Sequence, residues 1–568
     1  MQKPLAGLTA KNAGKEFIAG ITLIAIAVPL NIGYAQIAGL PATAGLYALV
    51  VPTLLYALIV SSRQVVASPD AAAAALVASS LGGLAVAGSQ SYMTLALAQA
   101  ILCGIFLIAM AWFKLGFLAN FLSKPILVGF VGGLALDILA SQTAKMLGIH
   151  LEPGSEFVEK VSTIIADFGT LNVWSLLIAA VSVVVLMLGK KFAGAVPWAL
   201  IVLVAATIAT VATHADQAGV DILGDVPAGP PVLTWPVIPW IDWLLLIPSA
   251  LALTLVTTAE GLLVSRSYGE KRGYTTVPNR DLLAFGVSNI AAGASGSFSV
   301  GSSTSRTAAM DQAGSRTQLP SIVLAAGTLL LLMFGTALLK DIPSPAIGAI
   351  VGVAVLPLLG IAEFKQLWKL DRFEFAVGAA CFLVTLLIGS IAGILVAFVL
   401  ALINMAKRAS NPAIDVLGAT SDPNESLLYG VAEGTATAPG IVVVRPAAPL
   451  FFANGNVFNE YVKSAIEKIE SNQSQDNPPV RHLVIDFEAV NDADVTAAES
   501  FESLDDWLEH RNISLYFSRV RDELVPRLKH LGILEDEKLF PTNREALLAL
   551  TSLQTHDASN GSEVKDGK

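Results

Sequence analysis

Cysteine and histidine are scarce, with two cysteines and six histidines in 568 residues. Cys103 and Cys381 lie far apart inside apolar runs, without a CxxC spacing and without clustered histidines. This excludes a disulfide framework and leaves a metal site without a ligand set. Charge is also scarce: 14% of residues are charged, 54% are hydrophobic, and the mean hydropathy is +0.66. Soluble domains carry about 25% charged residues, so most of this chain belongs in a lipid bilayer. No basic stripe points to nucleic acid. No nucleotide loop or catalytic dyad occurs, which speaks against an enzyme or a bound cofactor. The net charge of −10 comes largely from the C-terminal part and says nothing about the sign of a substrate.

Long apolar runs are what remains. Crossing the hydrocarbon as a helix takes about 20 residues. Runs over 17–37, 43–60, 93–113, 173–188, 198–211, 243–264, 319–339 and 375–402 qualify, the last being long enough for two spans. Residues 69–86, 126–139 and 303–311 read as short segments, the first two holding Asp70 and Asp137. Basic residues fall at alternate connections: Arg63, then Lys114 and Lys124, Lys190 and Lys191, a cluster from Arg266 to Arg280, Lys365 to Arg372, and Lys407 with Arg408. The positive-inside rule makes these connections and both termini cytoplasmic. Fourteen segments fit the alternation when the short ones are counted. The expected division is a cytoplasmic N-terminal segment 1–15, holding Lys3, Lys11 and Lys15, and a membrane domain 16–408 with repeats near 16–212 and 243–408. A linker 409–437, a small α/β domain 438–553 and a disordered tail 554–568 follow.

Between two apolar runs stands VGSSTSRTAAMDQAGSRTQL, with Arg306 and Asp311 among hydroxyls. A cytoplasmic loop would explain the polarity but not the Gly, Ser and Ala content preceding it, which suits close helix packing. Its counterpart, SPDAAAAALVASSLGG, lies about 235 residues earlier. Two short interrupted segments in matching positions indicate inverted repeats with paired broken helices. A half-helix starting at mid-membrane leaves up to four N–H groups unpaired and presents about +0.5 charge, which an anion satisfies. Ser302, Ser303, Thr304 and Ser305 can cap that helix or donate to a ligand, and Arg306 adds a full charge that lipid would not tolerate.

The stretch AIAVPLNIGYAQIAGLPATAGLYALVVPTLLYALIVSSRQVVASPDAAAAALVA resembles the first three spans of the SulP family of anion permeases. LGDVPAGPP, TTAEGLLVSRSYGEKRGYTTVPNRDLLAFGVSNIAAG and SRTAAMDQAGSRTQL resemble its later signatures, and IVVVRPAAPLFFANGNVF with HLVIDFEAVNDADVTAAES resembles the STAS domain that follows these permeases. The resemblance implies a seven-plus-seven inverted-repeat fold, all-α in the membrane with about 14 segments and two half-helices, followed by a small α/β STAS domain. It implies an anion held between segments three and ten, a core moving against a gate, and a homodimer. Carried over residue by residue, the substrate site falls on Tyr34, Ala71, Ser305, Arg306 and Thr307, with Glu260 matching an acidic position of segment eight. The chain departs from many members at Leu30, where they have glutamine, and at Asp311, where they have asparagine.

Individual residues leave alternatives open. Glu260 either carries a coupling proton or forms a buried ion pair with Arg306 or Arg266. Tyr34 either floors an anion site or packs in the core. Asp70 either caps the third segment's N-terminus, where it would compete with an anion for the same donors, or caps a turn adjoining Arg63 farther from the site, and the second is preferred; Asp137 is expected to pair with Lys145 or Lys124. Thr496, within Asp494, Val495 and Thr496, is either a phosphate acceptor or a helix N-cap. The expected function is secondary active transport of a small inorganic oxyanion, sulfate, by proton symport with an elevator-like movement in the inner membrane. The competing functions are a sodium-coupled bicarbonate transporter, an anion or dicarboxylate exchanger, a nucleobase permease, and an anion sensor acting through the STAS domain.

Overall fold

The computed structural model describes residues 5–563 except 6, 10–11, 118–123, 153–154, 193–195, 419–429, 473–477 and 536–537. Lys3, Lys11, part of the expected linker and residues 564–568 lie outside the described residues. The chain forms two compact units, Met1–Ala401 and Leu402–Lys568.

In the first unit the membrane segments among the described residues are α1 (Ala13–Ile37), α2 (Ala42–Ile59), α3 (Ala71–Leu81), α4 (Gln90–Trp112), α5 (Lys124–Leu147), α6 (Val173–Phe192) and α7 (Trp198–Thr213). They continue as α8 (Ile247–Arg272), α9 (Pro278–Ala294), α10 (Thr304–Gln312), α11 (Leu319–Phe334), α12 (Ser344–Leu370), α13 (Arg372–Leu387) and α14 (Ser390–Ser410). Seven of them are long and apolar enough to cross a membrane by themselves. Two-residue strands, β1 (Ala67–Ser68) and β2 (Gly301–Ser302), precede α3 and α10.

Two expectations about spans change. Residues 126–139 are the middle of the 24-residue helix α5, whose polar Asp137, Ser141 and Gln142 shorten the apolar run without shortening the helix. The sequence reading also placed no span between 339 and 375, yet α12 lies there. Pro345 begins that helix, and Pro357 with left-handed Gly360 interrupts its regular geometry, but the segment is as apolar as the other long spans and its hydropathy alone marks it.

The segments pack in two groups. In one, α4 and α2 lie along α9, and α11 lies along α1. In the other, α5 is flanked by α12 and α13, and α12 lies along α6. The groups meet where α1 touches α12 and α7, and where α3 touches α5. The α4–α9 crossing depends on missing side chains: a Cβ on Gly104 would sit 2.6 Å from the Gly286 carbonyl oxygen, and one on Gly286 would sit 2.9 Å from that of Gly104. Without a hydrophobic drive between helices in lipid, such close backbone packing supplies the attraction.

The second unit is a sheet ordered β3 (Ile414–Val416), β4 (Ile441–Pro446), β5 (His482–Asp486), β6 (Ser514–Ser518) and β7 (Leu539–Phe540). β3 runs antiparallel to β4 and the other pairs are parallel. Strand alternation sends Val442 and Val444 into a core with α15 (Gly455–Asn472), α16 (Val495–Glu509) and α17 (Val525–His530), while Ile441 and Val443 pack against α18 (Asn543–Glu563) on the other side. Helix α18 therefore continues through most of the segment from 554 that was expected to be disordered.

Gly104→Ala should lower the stability of the first unit by about 1–3 kcal/mol, the usual cost of overpacking. Thermal unfolding of the purified protein in detergent checks this, and an unchanged midpoint would contradict the close α4–α9 approach.

Candidate functional site

The two half-helices begin side by side because their leading strands pair. Ala67 lies opposite Ser302, and Ser68 opposite Gly301, in an antiparallel ribbon buried on both strands. Buried side chains hold the ribbon in place. The Thr53 hydroxyl donates to the Ala67 carbonyl at 2.9 Å. Asn289 donates to the Val300 carbonyl at 2.9 Å and accepts from the Val300 N–H at 3.0 Å. Gln318 donates to the carbonyls of Val65 at 2.8 Å and Ser62 at 3.0 Å. Backbone that would otherwise stand unpaired inside the bilayer is thereby satisfied within the protein.

Each half-helix carries its own cap. The Ser303 hydroxyl accepts from the Arg306 N–H at 3.4 Å, and the Asp70 carboxylate accepts from the Ala73 N–H at 2.7 Å. Asp70 therefore caps α3, directly before Ala71, and not a distant turn near Arg63 as expected. Its other oxygen lies over Gly301, whose missing side chain leaves the room. The signal was present in SPDAAAAA, where an aspartate stands just before a run of helix formers.

Arg306 follows one turn into α10 and is fully buried. Its Nη2 donates to the Pro69 carbonyl, and among the described residues its Nε and Nη1 have no hydrogen-bond partner. The guanidinium carbon stands 5.6 Å from the ring centroid of Tyr34, which is itself buried. The structure thus brings together Tyr34, Ala71 and Arg306. Ser305 is exposed at the start of α10, with its hydroxyl 3.5 Å from that of Ser303. Thr307 points elsewhere: its hydroxyl accepts from the Val66 N–H at 3.1 Å and links α10 to the approach of β1.

Glu260 is half-buried on α8, which packs against α3 and β2. Neither arginine considered as its partner holds it. Arg266 pairs with Glu270 at 3.0 Å, and Arg306 is engaged as described. The charged neighbour acting on Glu260 is Asp70.

The other charges also find their places. Asp311 is at the far end of α10 and buried among Arg272 at 2.6 Å, Lys271 at 3.1 Å and Arg316 at 3.3 Å. Its charge is balanced there, more than a turn from Arg306, so the departure from asparagine leaves the start of the half-helix unaltered. Leu30 is core packing, buried on α1. Asp137 pairs with Lys160 at 2.7 Å, not with Lys145 or Lys124. Lys145 donates instead to Gln36 at 3.0 Å. These groups line a cavity of about 810 Å³ between the end of α1, α5 and α3, where Ala75 borders it one turn beyond Ala71. In the second unit Asp494, not Thr496, is the N-cap of α16, accepting from the Ala497 N–H at 2.8 Å, and Thr496 is exposed in the first turn.

Residues 14–381 match the sulfate permease family over well over half of the chain. The chain belongs to that family. Residues 435–546 match the STAS domain. This permease is 32% identical over 540 residues to a Mycobacterium tuberculosis protein named a probable sulfate transporter, covering 94% of each chain. It is 27% identical to sulfate transporter 3.1 of Arabidopsis thaliana, covering 96% of this chain and 86% of that one. Its fold matches the murine solute carrier 26 family member A9 anion transporter in the inward-facing state, with a TM-score of 0.84 at 20% identity over 96% of this chain and 92% of the other. The transmembrane domain of the cyanobacterial bicarbonate transporter BicA matches with a TM-score of 0.61 at 22% identity, over 68% of this chain and 98% of that one. The permease is accordingly an integral membrane anion transporter and not an enzyme.

Thr307→Val leaves the Val66 N–H without its acceptor and should cost about 1–3 kcal/mol of stability. A thermal unfolding midpoint equal to wild type would show that this bond does not join the two half-helices.

Proposed function

We propose that the permease takes up sulfate by proton symport, binding the anion between the N-termini of α3 and α10 and coupling it to protonation of Glu260. The observation that carries this reading is the fully buried Arg306 with two nitrogens unpaired. An uncompensated buried guanidinium costs on the order of several kcal/mol. An oxyanion beside it would take up the open donors and the positive end of the α10 dipole together. Tyr34 forms the floor and Ser305 the rim, Ala71 admits the anion to the start of α3, and Thr307 acts by fixing the half-helix. The full-length relatives named as sulfate transporters support sulfate as the anion.

Among the described residues Glu260 has no ion-pair partner, and its charged neighbour is a second carboxylate, Asp70, which suits a group that gains and loses a proton during transport. Ionised, it repels an incoming anion; protonated, it does not. The division of the membrane segments suggests an elevator-like movement, in which α1–α4 and α8–α11 carry the site past the remaining segments. The cavity bordered by Ala75 is then the outer access path. The arrangement of basic connections favours a multi-pass protein of the inner membrane, with both termini and the STAS domain cytoplasmic. The assembly is a homodimer in this reading, and Thr496, exposed at the start of α16, is a candidate for regulatory phosphorylation.

Two measurements follow. Arg306→Ala should weaken sulfate affinity about 10- to 150-fold, corresponding to ~1.5–3 kcal/mol for a charge-assisted bond, and Arg306→Lys should recover part of it. Equilibrium binding in detergent reads this, and unchanged affinity would move the site elsewhere. In proteoliposomes, Glu260→Gln should retain anion exchange with reduced pH dependence but lose accumulation driven by a pH gradient. Wild-type accumulation with a sodium gradient alone, at constant pH, would replace proton coupling by sodium coupling and favour bicarbonate.

A further inference from the structure

Asp70 is a second carboxylate at the same place, and the reading of Arg306 given above does not use it. One oxygen accepts from the Ala73 N–H at 2.7 Å and the other lies over Gly301, so the carboxylate spans from the start of α3 to the ribbon that leads into α10. An anion entering between the half-helices would seek those same donors. Arg306 and Asp70 act on one another electrostatically, and among the described residues they form no ion pair within 4 Å and Arg306 Nε and Nη1 are buried without a hydrogen-bond partner. The two charges thus influence one another while two of the Arg306 donors stay open.

The titratable groups around Asp70 come from three packed elements. α10 brings Arg306, α8 brings Glu260, and α1 brings Tyr34. α5 and α4 also pack on α3. On α5, Asp137 and Lys145 face the outer cavity. On α4, Cys103 is engaged with Thr254 and Ser299. With both carboxylates ionised, the one guanidinium is outnumbered, and the pocket repels an anion although its donors suit one.

Resting on the Arg306 reading, we propose that Asp70 is a built-in competitor for the anion and a second coupling group, so that sulfate binding requires protonation of both Asp70 and Glu260. Each proton removes one negative charge from the pocket, and the caps stay in place because a neutral carboxyl oxygen still accepts from the Ala73 N–H. By linkage, each proton that strengthens sulfate binding is itself bound more tightly when sulfate is present. Two protons per divalent anion make the carried complex two charges less negative than an unprotonated one.

The test is binding of radiolabelled sulfate to the purified full chain across pH, together with proton uptake on adding sulfate, followed with an indicator dye. Wild type, Asp70→Asn, Asp70→Ser, Glu260→Gln and the Asp70→Asn/Glu260→Gln double variant are compared. Asn and Ser both cap helices well, so the start of α3 is retained without the charge. Wild-type affinity should fall as pH rises, with a limiting slope approaching two protons, ~100-fold per pH unit. Each single variant should show a slope near one proton, with Asp70→Asn and Asp70→Ser binding at least ~10-fold more tightly than wild type on the alkaline side. The double variant should be nearly flat. A wild-type slope and proton count in both Asp70 variants would overturn the proposal and leave Asp70 as a cap alone. Loss of binding in Asp70 variants that unfold at the wild-type temperature would also overturn it, by making the carboxylate a group the anion needs. The Arg306→Ala arm separates the two readings: wild-type affinity there, or no sulfate binding by the wild type at any pH, defeats the Arg306 site itself, whereas weakened binding there with unaltered Asp70 variants defeats only the second coupling group.

Discussion

Two helices that start in the middle of a membrane have a problem that no apolar side chain can solve. Their first N–H groups have no intrahelical partner, and lipid offers none. The pairing of Ala67 with Ser302 and of Ser68 with Gly301 is the answer on which the rest of the first unit depends. It satisfies the extended backbone leading into both half-helices and fixes their starts beside each other. Thr53, Asn289 and Gln318 are buried polar residues that brace this ribbon from α2, α9 and the start of α11. Since α9 is also the helix against which α4 and α2 pack, the ribbon is built into the close-packed helix group instead of hanging between helices.

A consequence of this arrangement is that charge gathers where the two half-helices begin. Arg306 lies in the first turn of α10, Asp70 caps α3, and Glu260 on α8 has Asp70 as its charged neighbour. None of the three forms an ion pair among the described residues. Contrast Asp311 at the other end of α10, where three basic side chains hold one carboxylate, or Asp486 in the second unit, which is buried against Arg445 at 2.7 Å and Asn543 at 2.8 Å. Those groups are neutralised by fixed partners and stabilise a single arrangement. The unpaired set at the half-helices has no such fixed partners among the described residues, which is what the proposed binding of an anion and protons there rests on.

Much of this was legible in the residues. The apolar runs, the alternation of basic connections, and the matching short segments around Ser68 and Ser303 anticipated the paired half-helices, and the buried arginine followed from the cost of its charge in lipid. The second unit was readable because strands and helices alternate with clear periods. Helix α5 is obscured for a physical reason: a half-buried residue paired within the protein can be polar without ending a span, as Asp137 with Lys160 shows, whereas α12 is as apolar as the other long spans and is legible from its hydropathy alone. For Asp70 the capping pattern in SPDAAAAA outweighs its competition with an anion for the same donors, and the aspartate caps α3 directly. The partner of a charge, Lys160 for Asp137 or Asp494 in place of Thr496 at the start of α16, depends on rotation and register that sequence spacing does not fix.

The central claim is that a sulfate-like oxyanion sits between the starts of α3 and α10 against the open nitrogens of Arg306. Selenate is isosteric with sulfate and scatters anomalously, so crystals of the full chain grown with selenate at acidic pH locate it directly. The account predicts an anomalous peak within hydrogen-bond distance of Arg306 Nε or Nη1, beside the Ser303 cap and the Tyr34 ring. A peak confined to the outer cavity near Lys145, with the Arg306 nitrogens still unoccupied, would contradict it.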